Sequence, residues 1–254
     1  MKRIFFSLLI LLMAMAGMQA RTFVLVTGVS NYGDEANNLA QTTKDAKNFA
    51  KVMSTQTKDI TLLTSSNVTY ANVLEKLRAI CNRAQAGDRV VFFYSGHGMP
   101  GAICAYDRPI PYDDLLKVLS TSAAKEKICF VDACFAGTMA HSATDSSWMD
   151  DVADTKGLMF FLSCRDNEYS AENPFLGAGF FTQALMKGLR GKSDKNGDRK
   201  VTVLELFKYI HADVVRRSQG KQHPQLKAPA SLHNVVVADW TDKPAAPKPA
   251  KKQK

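Results

Sequence analysis

The sequence predicts an α/β fold: a three-layer α/β/α sandwich with a mainly parallel six-stranded sheet. Two features of the chain predict it. Apolar runs rich in β-branched and aromatic residues, such as Arg89-Val90-Val91-Phe92-Phe93-Tyr94 and Lys127-Ile128-Cys129-Phe130-Val131-Asp132, read as strands buried on both faces. Segments with helical spacing alternate with these runs, and that alternation builds a parallel sheet covered on both sides. In such sheets chemistry sits outside the carboxyl ends of the strands. Here two runs end in small residues at that point: Tyr94-Ser95-Gly96-His97-Gly98 and Asp132-Ala133-Cys134-Phe135-Ala136-Gly137.

Taken in order, Thr22 to Val29 is a strand. Asp45 to Met53 is a helix, with Ala46, Phe49, Ala50 and Met53 on its apolar stripe. Asp59 to Leu63 is a short strand. Asn72 to Ala84 is helical through Val73, Leu74, Leu77, Ile80 and Cys81. The strand leading to His97 follows. Met99 to Tyr112 carries Pro100-Gly101, Arg108-Pro109 and Pro111, which reads as a hairpin or loop. Asp113 to Leu119 is a helix, and the strand leading to Cys134 comes next. Met139 to Gly157 is polar, acidic and unpatterned, a long exposed loop. Leu158 to Ser163 is a strand, Phe180 to Leu189 and Val203 to Arg216 are helices, and Asn234 to Ala238 is a last strand.

The ends differ from the middle. Residues 1–20 read as a secretory signal: Lys2 and Arg3, an apolar stretch from Ile4 to Met18, then Gln19-Ala20. The stretch is short for a membrane span, which needs about 20 residues. The cut falls after Ala20, or nearer Ala14-Met15-Ala16, which fits the small-residue rule better. Removal of the signal leaves no stable span and implies export to the periplasm or beyond; a retained anchor is the other reading. Residues 241–254 are Pro, Ala and Lys and read as a disordered basic tail. Residues 21–240 then form one domain. The formal charge of +9 is mostly terminal, with Lys2 and Arg3 at one end and five lysines against Asp242 at the other. No basic helix with interleaved aromatics appears, so nucleic-acid binding is not read. The tail is a solvated extension, or a loose contact for an anionic surface.

Five cysteines show no metal spacing and no dense disulfide framework. Cys129 and Cys164 read as core residues, Cys81 as helical and Cys104 as part of the hairpin. A Cys81–Cys104 bridge is conceivable in an exported chain. Only Cys134 stands at a strand end. If its strand neighbours that of His97, the two backbones are about 5 Å apart. Thiol and imidazole then share one rim, the minimum apparatus for nucleophilic catalysis. The N–H groups of Gly98 and Cys134 are placed to receive an oxyanion. Asp45 and Asp132 would favour a cationic substrate group. The plainer alternatives are a histidine in a glycine turn, an unrelated buried cysteine, and an Asp45 that complements its helix dipole. His141, His211, His223 and His233 have no catalytic context and read as surface or turn residues.

These motifs, in this order, resemble those of the caspase-like cysteine peptidases, most closely the bacterial and metacaspase-type members, over nearly all of Arg21 to Trp240. The opening strand with Asn31-Tyr32, the segment Asn38-Leu39 to Asp45-Ala46, both motifs at the strand ends, Ser163 to Glu172 and Gly177 to Thr182 carry the resemblance. It implies the caspase-like fold, with Cys134 as nucleophile and His97 as general acid/base. Asp45, Ser95 and Asp132 would line the pocket for the residue before the scissile bond, implying Arg or Lys there. Thr42 stands where metacaspases often have cysteine, and Phe135-Ala136 where His-Ser is frequent.

No cofactor is needed for the chemistry, but the resemblance suggests calcium as an activator, held by Asp113 and Asp114 with Asp107. A second candidate is residues 194–205, which match an EF-hand loop at Asp194, Asn196, Asp198 and Glu205 but place Arg199 where glycine is required. The plainer readings are an acidic helix start for Asp113-Asp114 and, for residues 194–205, an Asn-Gly turn into a helix or a loop that once bound calcium. Lys156 is the one basic residue of the long loop, which suggests self-processing after it. The whole reads as a cysteine endopeptidase acting on peptide or protein substrates. The rivals are a non-catalytic caspase-fold module that binds peptides or partners, and a different thiol hydrolase or transferase on a similar sheet.

Overall fold

The computed structural model describes residues 20–141, 156–168, 172–173 and 178–242. The signal segment before residue 20, the tail after residue 242 and most of the 139–157 loop lie outside the described residues.

Six strands form the central sheet: β1 (Thr22–Gly28), β2 (Asp59–Thr64), β3 (Arg89–Ser95), β7 (Glu126–Asp132), β8 (Leu158–Leu162) and β12 (Gln225–Lys227), in the order β12-β8-β7-β3-β1-β2. All neighbours are parallel except β12, which runs antiparallel to β8. Between β3 and β7 a small antiparallel sheet of β4 (Gly98–Met99), β5 (Ala102–Cys104) and β6 (Pro109–Pro111) takes the segment read as a hairpin or loop. Short pairs β9 (Glu172–Asn173) with β10 (Ala178–Gly179), and β11 (Lys200–Thr202) with β13 (Val236–Asp239), complete the strands described.

The strands alternate sides as a two-residue period requires. Phe23, Leu25, Phe92, Cys129, Val131, Phe160 and Leu162 face α2 (Tyr70–Arg83) and α3 (Tyr112–Ser120). Val24, Val26, Val91, Phe93, Ile128, Phe130 and Phe161 face α1 (Thr42–Met53), α4 (Phe180–Lys187) and α5 (Val203–Arg217). On that second face the Phe49 and Phe93 rings stack at 4.2 Å and Phe130 meets Phe161 at 4.9 Å, aromatic pairing added to apolar burial. Local chemistry starts two of these helices. Thr69 accepts from the Asn72 N–H, and Thr202 with Glu205 closes a capping box.

One strand is not where the sequence puts it. Asn234 to Ala238 reads as the last strand, but β13 pairs with β11 away from the main sheet. The sixth strand is β12, a three-residue strand that starts directly after Pro224 with no apolar run to announce it. Its partner β8 supplies the register, Leu226 lying opposite Phe161.

The end of the sheet opposite the strand tips is closed by Lys127. Its side chain is buried, and its ammonium donates to the carbonyls of Ala124 and Lys156, each at 2.6 Å. The Lys127 N–H also donates to the Gly157 carbonyl at 2.8 Å. Gly157 has φ +66°, and a Cβ there would lie 1.9 Å from the Lys125 carbonyl oxygen, so glycine is required. Lys156, named above for self-processing, lies at this end of the sheet. Its peptide bond is tied down beneath the start of β8, about 20 Å along the strands from Cys134 at 3.3 Å per residue. Cys134 of the same molecule does not reach it.

Candidate active site

Register alone brings His97 and Cys134 together. Ser95 on β3 pairs with Asp132 on β7, and the Gly96 N–H donates to the Asp132 carbonyl at 3.2 Å. His97 and Cys134 each follow that pair by two residues, on adjacent strand tips. Both line one cavity of about 260 Å³, with Thr42, Asp45, Ser95 and Asp132 also in its wall. The cavity sits where β1 and β3 diverge to opposite sides, the switch point of the sheet.

His97 is held through both its ring and its backbone. Its Nε2 lies 2.8 Å from the Asn37 carbonyl oxygen. A carbonyl only accepts, so Nε2 carries the proton and Nδ1 keeps its lone pair. The His97 N–H donates to the Tyr32 hydroxyl at 2.7 Å, and the Tyr32 ring lies 4.8 Å from the imidazole. The Tyr94 hydroxyl donates to the His97 carbonyl at 2.7 Å. Burial, opposed by hydrogen bonds with the Tyr94 hydroxyl and the His97 N–H, pushes the Tyr32 phenol up to about 12, so it stays a neutral donor and acceptor. Gly96 must be glycine here: a Cβ would lie 2.3 Å from the Tyr94 hydroxyl.

Cys134 sits half-buried on a tight turn that runs into a 3-10 turn, Ala136–His141. Phe135, next to it, has φ +56°, a left-handed backbone that a phenylalanine adopts only when its surroundings impose it. Gly98 backs directly onto this turn. A Cβ on Gly98 would lie 2.3 Å from the Cys134 carbonyl oxygen and 2.9 Å from the Ala133 Cβ. The backbones named as an oxyanion site are therefore in contact. Gly98→Ala should push them apart and lower kcat/KM on a peptide substrate by about 10- to 100-fold, with the melting midpoint as the control for folding.

The two carboxylates close the far side of the cavity. Asp132 is 6 % exposed, and its Oδ2 accepts from the Thr182 hydroxyl at 2.6 Å and the Thr182 N–H at 3.2 Å, in the first turn of α4. Asp45 is 1 % exposed and accepts from the Gly179 N–H at 3.2 Å. It faces the cavity and the β10–α4 junction rather than solvent at its own helix start. The N-terminus of α4 thus holds negative charge at this wall. Ser95 is buried in the wall between the two strand tips.

Of the remaining thiols, Cys164 lies against the nucleophile's turn, its Sγ donating to the Ala133 and Glu168 carbonyls at 3.3 and 3.2 Å. The five cysteines are free, so Cys81 and Cys104 form no bridge. Burial pushes the Cys81 and Cys164 thiols up to about 11 and raises Cys104 and Cys129 as well, leaving them protonated at neutral pH.

Neither acidic set fits a calcium ion as placed. Asp107 accepts from the Tyr70 N–H and Asp114 from the Tyr70 hydroxyl, both at 2.8 Å, so these two start α2 rather than converge on a point. The Asp194 carboxylate accepts from the Gly197 and Arg199 N–H groups, Asp198 from Lys200, and Glu205 closes the capping box. Arg199 takes the left-handed conformation that glycine takes in a calcium loop, at φ +66°. Among the described residues no three His, Cys, Asp or Glu side chains gather to hold a metal. This segment is a self-closed turn into α5.

Several contributors escape sequence reading. Asn37 acts through its carbonyl, which leaves no side-chain signature. Ser163 bonds both the N–H and the carbonyl of Ala133, at 3.1 and 3.0 Å, from the adjacent strand tip. Glu168 and His223 also belong here. The Glu168 carboxylate accepts from the His223 N–H and ring Nδ1, each at 2.8 Å, and from the Arg165 N–H at 3.3 Å. Burial alone would raise this carboxyl, but those hydrogen bonds outweigh it and hold Glu168 below its ordinary value. The folded chain therefore binds this proton less tightly than the unfolded chain. Its contribution to stability is present above the ordinary carboxylate range and is lost as pH falls through the folded value. Urea melts below pH 5 should fall less steeply with acid for Glu168→Gln than for the wild type.

Comparison with known proteins places this geometry. A caspase domain family model matches residues 21–235. No curated protein sequence matches. Among solved structures, a protein from Geobacter sulfurreducens superposes with TM-score 0.64 at 20% identity, covering 86% of this chain and 98% of its own. Caspase-1 from Spodoptera frugiperda superposes with TM-score 0.63 at 17% identity, covering 82% of this chain and 86% of its own. At such identities the likeness is one of fold, and the fold is the caspase-like sandwich with its mainly parallel six-stranded sheet. Among the described residues no helix is long and apolar enough to cross a membrane. With its domain matched almost end to end, the chain belongs to the caspase domain family, a family of cysteine-peptidase type.

Proposed function

We propose that this protein is a cysteine endopeptidase that hydrolyses peptide bonds after arginine or lysine, with Cys134 as nucleophile and His97 as general acid/base. The observation that carries the reading is the single cavity that holds both groups beside the carboxylates of Asp45 and Asp132. Two nearly buried carboxylates at one wall give the cavity a negative lining that complements a cationic side chain. A guanidinium or ammonium entering the cavity supplies that charge and sets the scissile carbonyl beside the thiol.

The steps balance. The Cys134 thiol gives its proton to His97 Nδ1, and the thiolate attacks the carbonyl carbon. Negative charge develops on the carbonyl oxygen, toward the backbone of Gly98 and Cys134. The amine leaves with the proton from the imidazolium, and an acyl thioester remains. Water attacks the thioester as His97 takes its proton, the C–S bond breaks to release the carboxylic acid, and the imidazolium returns the proton to the Cys134 sulfur. The Asn37 carbonyl supports the imidazolium through Nε2–H.

The test is a panel of fluorogenic peptides with Arg, Lys, Asp or Leu before the reporter. Arg and Lys peptides should be cleaved with kcat/KM at least about 100-fold above the others. Cleavage after Asp, or equal cleavage of all four, would refute the specificity. No cleavage by a folded protein would refute the activity.

A further inference from the structure

Glu168 and His223 lie outside the cavity, yet they connect to the nucleophile by short steps. The peptide unit between Cys134 and Phe135 is gripped at both ends. Its carbonyl oxygen lies against Gly98, and its N–H donates to the Glu168 carbonyl at 3.0 Å. That unit carries the left-handed φ of Phe135 and cannot rotate without losing one contact or the other. The segment 163–168 presses on the rest of the turn as well. A Cβ on Gly137 would lie 2.3 Å from the Asp166 nitrogen and 2.5 Å from the Arg165 carbonyl carbon. Ser163 fixes Ala133 on one side of Cys134, and Glu168 fixes Phe135 on the other.

What holds segment 163–168 comes from far along the chain. Gln222 is fully buried and donates from Nε2 to the Ser163 carbonyl at 2.8 Å. His223, the next residue, donates its N–H and its Nδ1–H to the Glu168 carboxylate. One dipeptide therefore pins both ends of the segment that cradles the nucleophile. Pro224 follows and leads straight into β12, so the dipeptide is itself anchored by the sheet edge. The carboxylate is mostly covered, with 15% of the Glu168 side chain exposed, so its charge-assisted bonds to His223 are not diluted by solvent.

We propose that Glu168, held by His223, is a positioning residue for Cys134: it sets the Cys134–Phe135 peptide and so places the sulfur and the Cys134 N–H for reaction. The inference rests on the cysteine-peptidase reading above, and its test includes a readout that does not need turnover.

Four variants are compared with wild type: Glu168→Gln, His223→Ala, His223→Asn and the Glu168→Gln/His223→Ala double. Asparagine keeps an N–H donor near the position of Nδ1 and so serves as the conservative replacement. The readouts are kcat and KM on an arginyl peptide, the melting midpoint, and the pH profile of iodoacetamide alkylation read on the Cys134 peptide by mass spectrometry. Glu168→Gln and His223→Ala should lower kcat by about 10- to 100-fold with KM changed less than about twofold. The Cys134 alkylation profile should shift in both. His223→Asn should recover most of the rate, and the double variant should be no slower than the worse single one.

An unchanged kcat and an unchanged alkylation profile in Glu168→Gln, even with a lowered melting midpoint, would overturn the proposal, since the pair would then be structural only. Glu168→Gln is isosteric and decides the matter if His223→Ala does not fold. A shifted alkylation profile in a protein that cleaves no peptide would sink the peptidase reading while leaving the positioning role in place.

Discussion

Replacing Cys134 with alanine removes hydrolysis of an arginyl reporter peptide, lowering kcat by at least about 10⁴-fold. The expectation follows from what the rest of the cavity can do without sulfur. His97, with Nε2 committed to the Asn37 carbonyl, retains one basic nitrogen and no partner to deprotonate. The acidic wall is left untouched, so a Cys134→Ala protein should hold an arginyl peptide with affinity close to the wild-type value. Stability should change little, because the sulfur is half-exposed and the turn is held by its backbone. The measurement pairs a steady-state assay with binding of the same peptide by fluorescence anisotropy. Residual activity above a hundredth of wild type would show that another group is the nucleophile. Loss of binding together with loss of rate would mean that the substitution has disturbed the cavity rather than the chemistry.

The second large effect is expected at Asp132. Asparagine at this position keeps an oxygen for the Thr182 hydroxyl and N–H, so the start of α4 remains tied to β7. Only the charge is lost. For arginyl and lysyl peptides kcat/KM should fall by about 30- to 1000-fold, as expected when one partner of a nearly buried charge pair is removed. A leucyl peptide, a poor substrate to begin with, should lose no more than about threefold. Asp45→Asn should act in the same direction, and the double variant should lose less than the product of the two losses, because both carboxylates serve one cation. An equal loss on charged and uncharged peptides would reduce Asp132 to a structural ligand of α4. An unchanged arginyl rate would place the specificity elsewhere.

Most of the fold is legible along the chain because strands buried on both faces leave a strong trace. Val90 to Tyr94 and Ile128 to Val131 are apolar without alternation, and that pattern has few explanations other than the middle of a covered parallel sheet. The helices show their stripes for the same reason. The failures share a cause too. Gln225–Lys227 carries no apolar signal, since an edge strand of three residues is stabilised by pairing with β8 rather than by its own composition. Asn234 to Ala238 does carry a signal, but one that says only strand and not with whom, and Lys200–Thr202 takes it. Asp107, Asp114 and Asp194 carry a composition that suits calcium, and in the fold their carboxylates accept from Tyr70 and from local backbone amides.

By itself the sequence determined that thiol and imidazole each follow the end of a buried strand, because strand length, glycine placement and motif order are local properties written in consecutive residues. It also determined that two acidic residues lie near them, one at a helix start and one at a strand end. Only the tertiary structure decided that the two strands are neighbours, that both carboxylates face one cavity, that a carbonyl at Asn37 orients the imidazole, that the Lys156 carbonyl sits at the opposite end of the sheet, and that Glu168 and His223 grip the nucleophile's turn. Those are contacts between segments tens of residues apart, many made by backbone groups identical in every residue. Their pairing is chosen by how the sheet and its covering helices pack, which no single stretch of chain records.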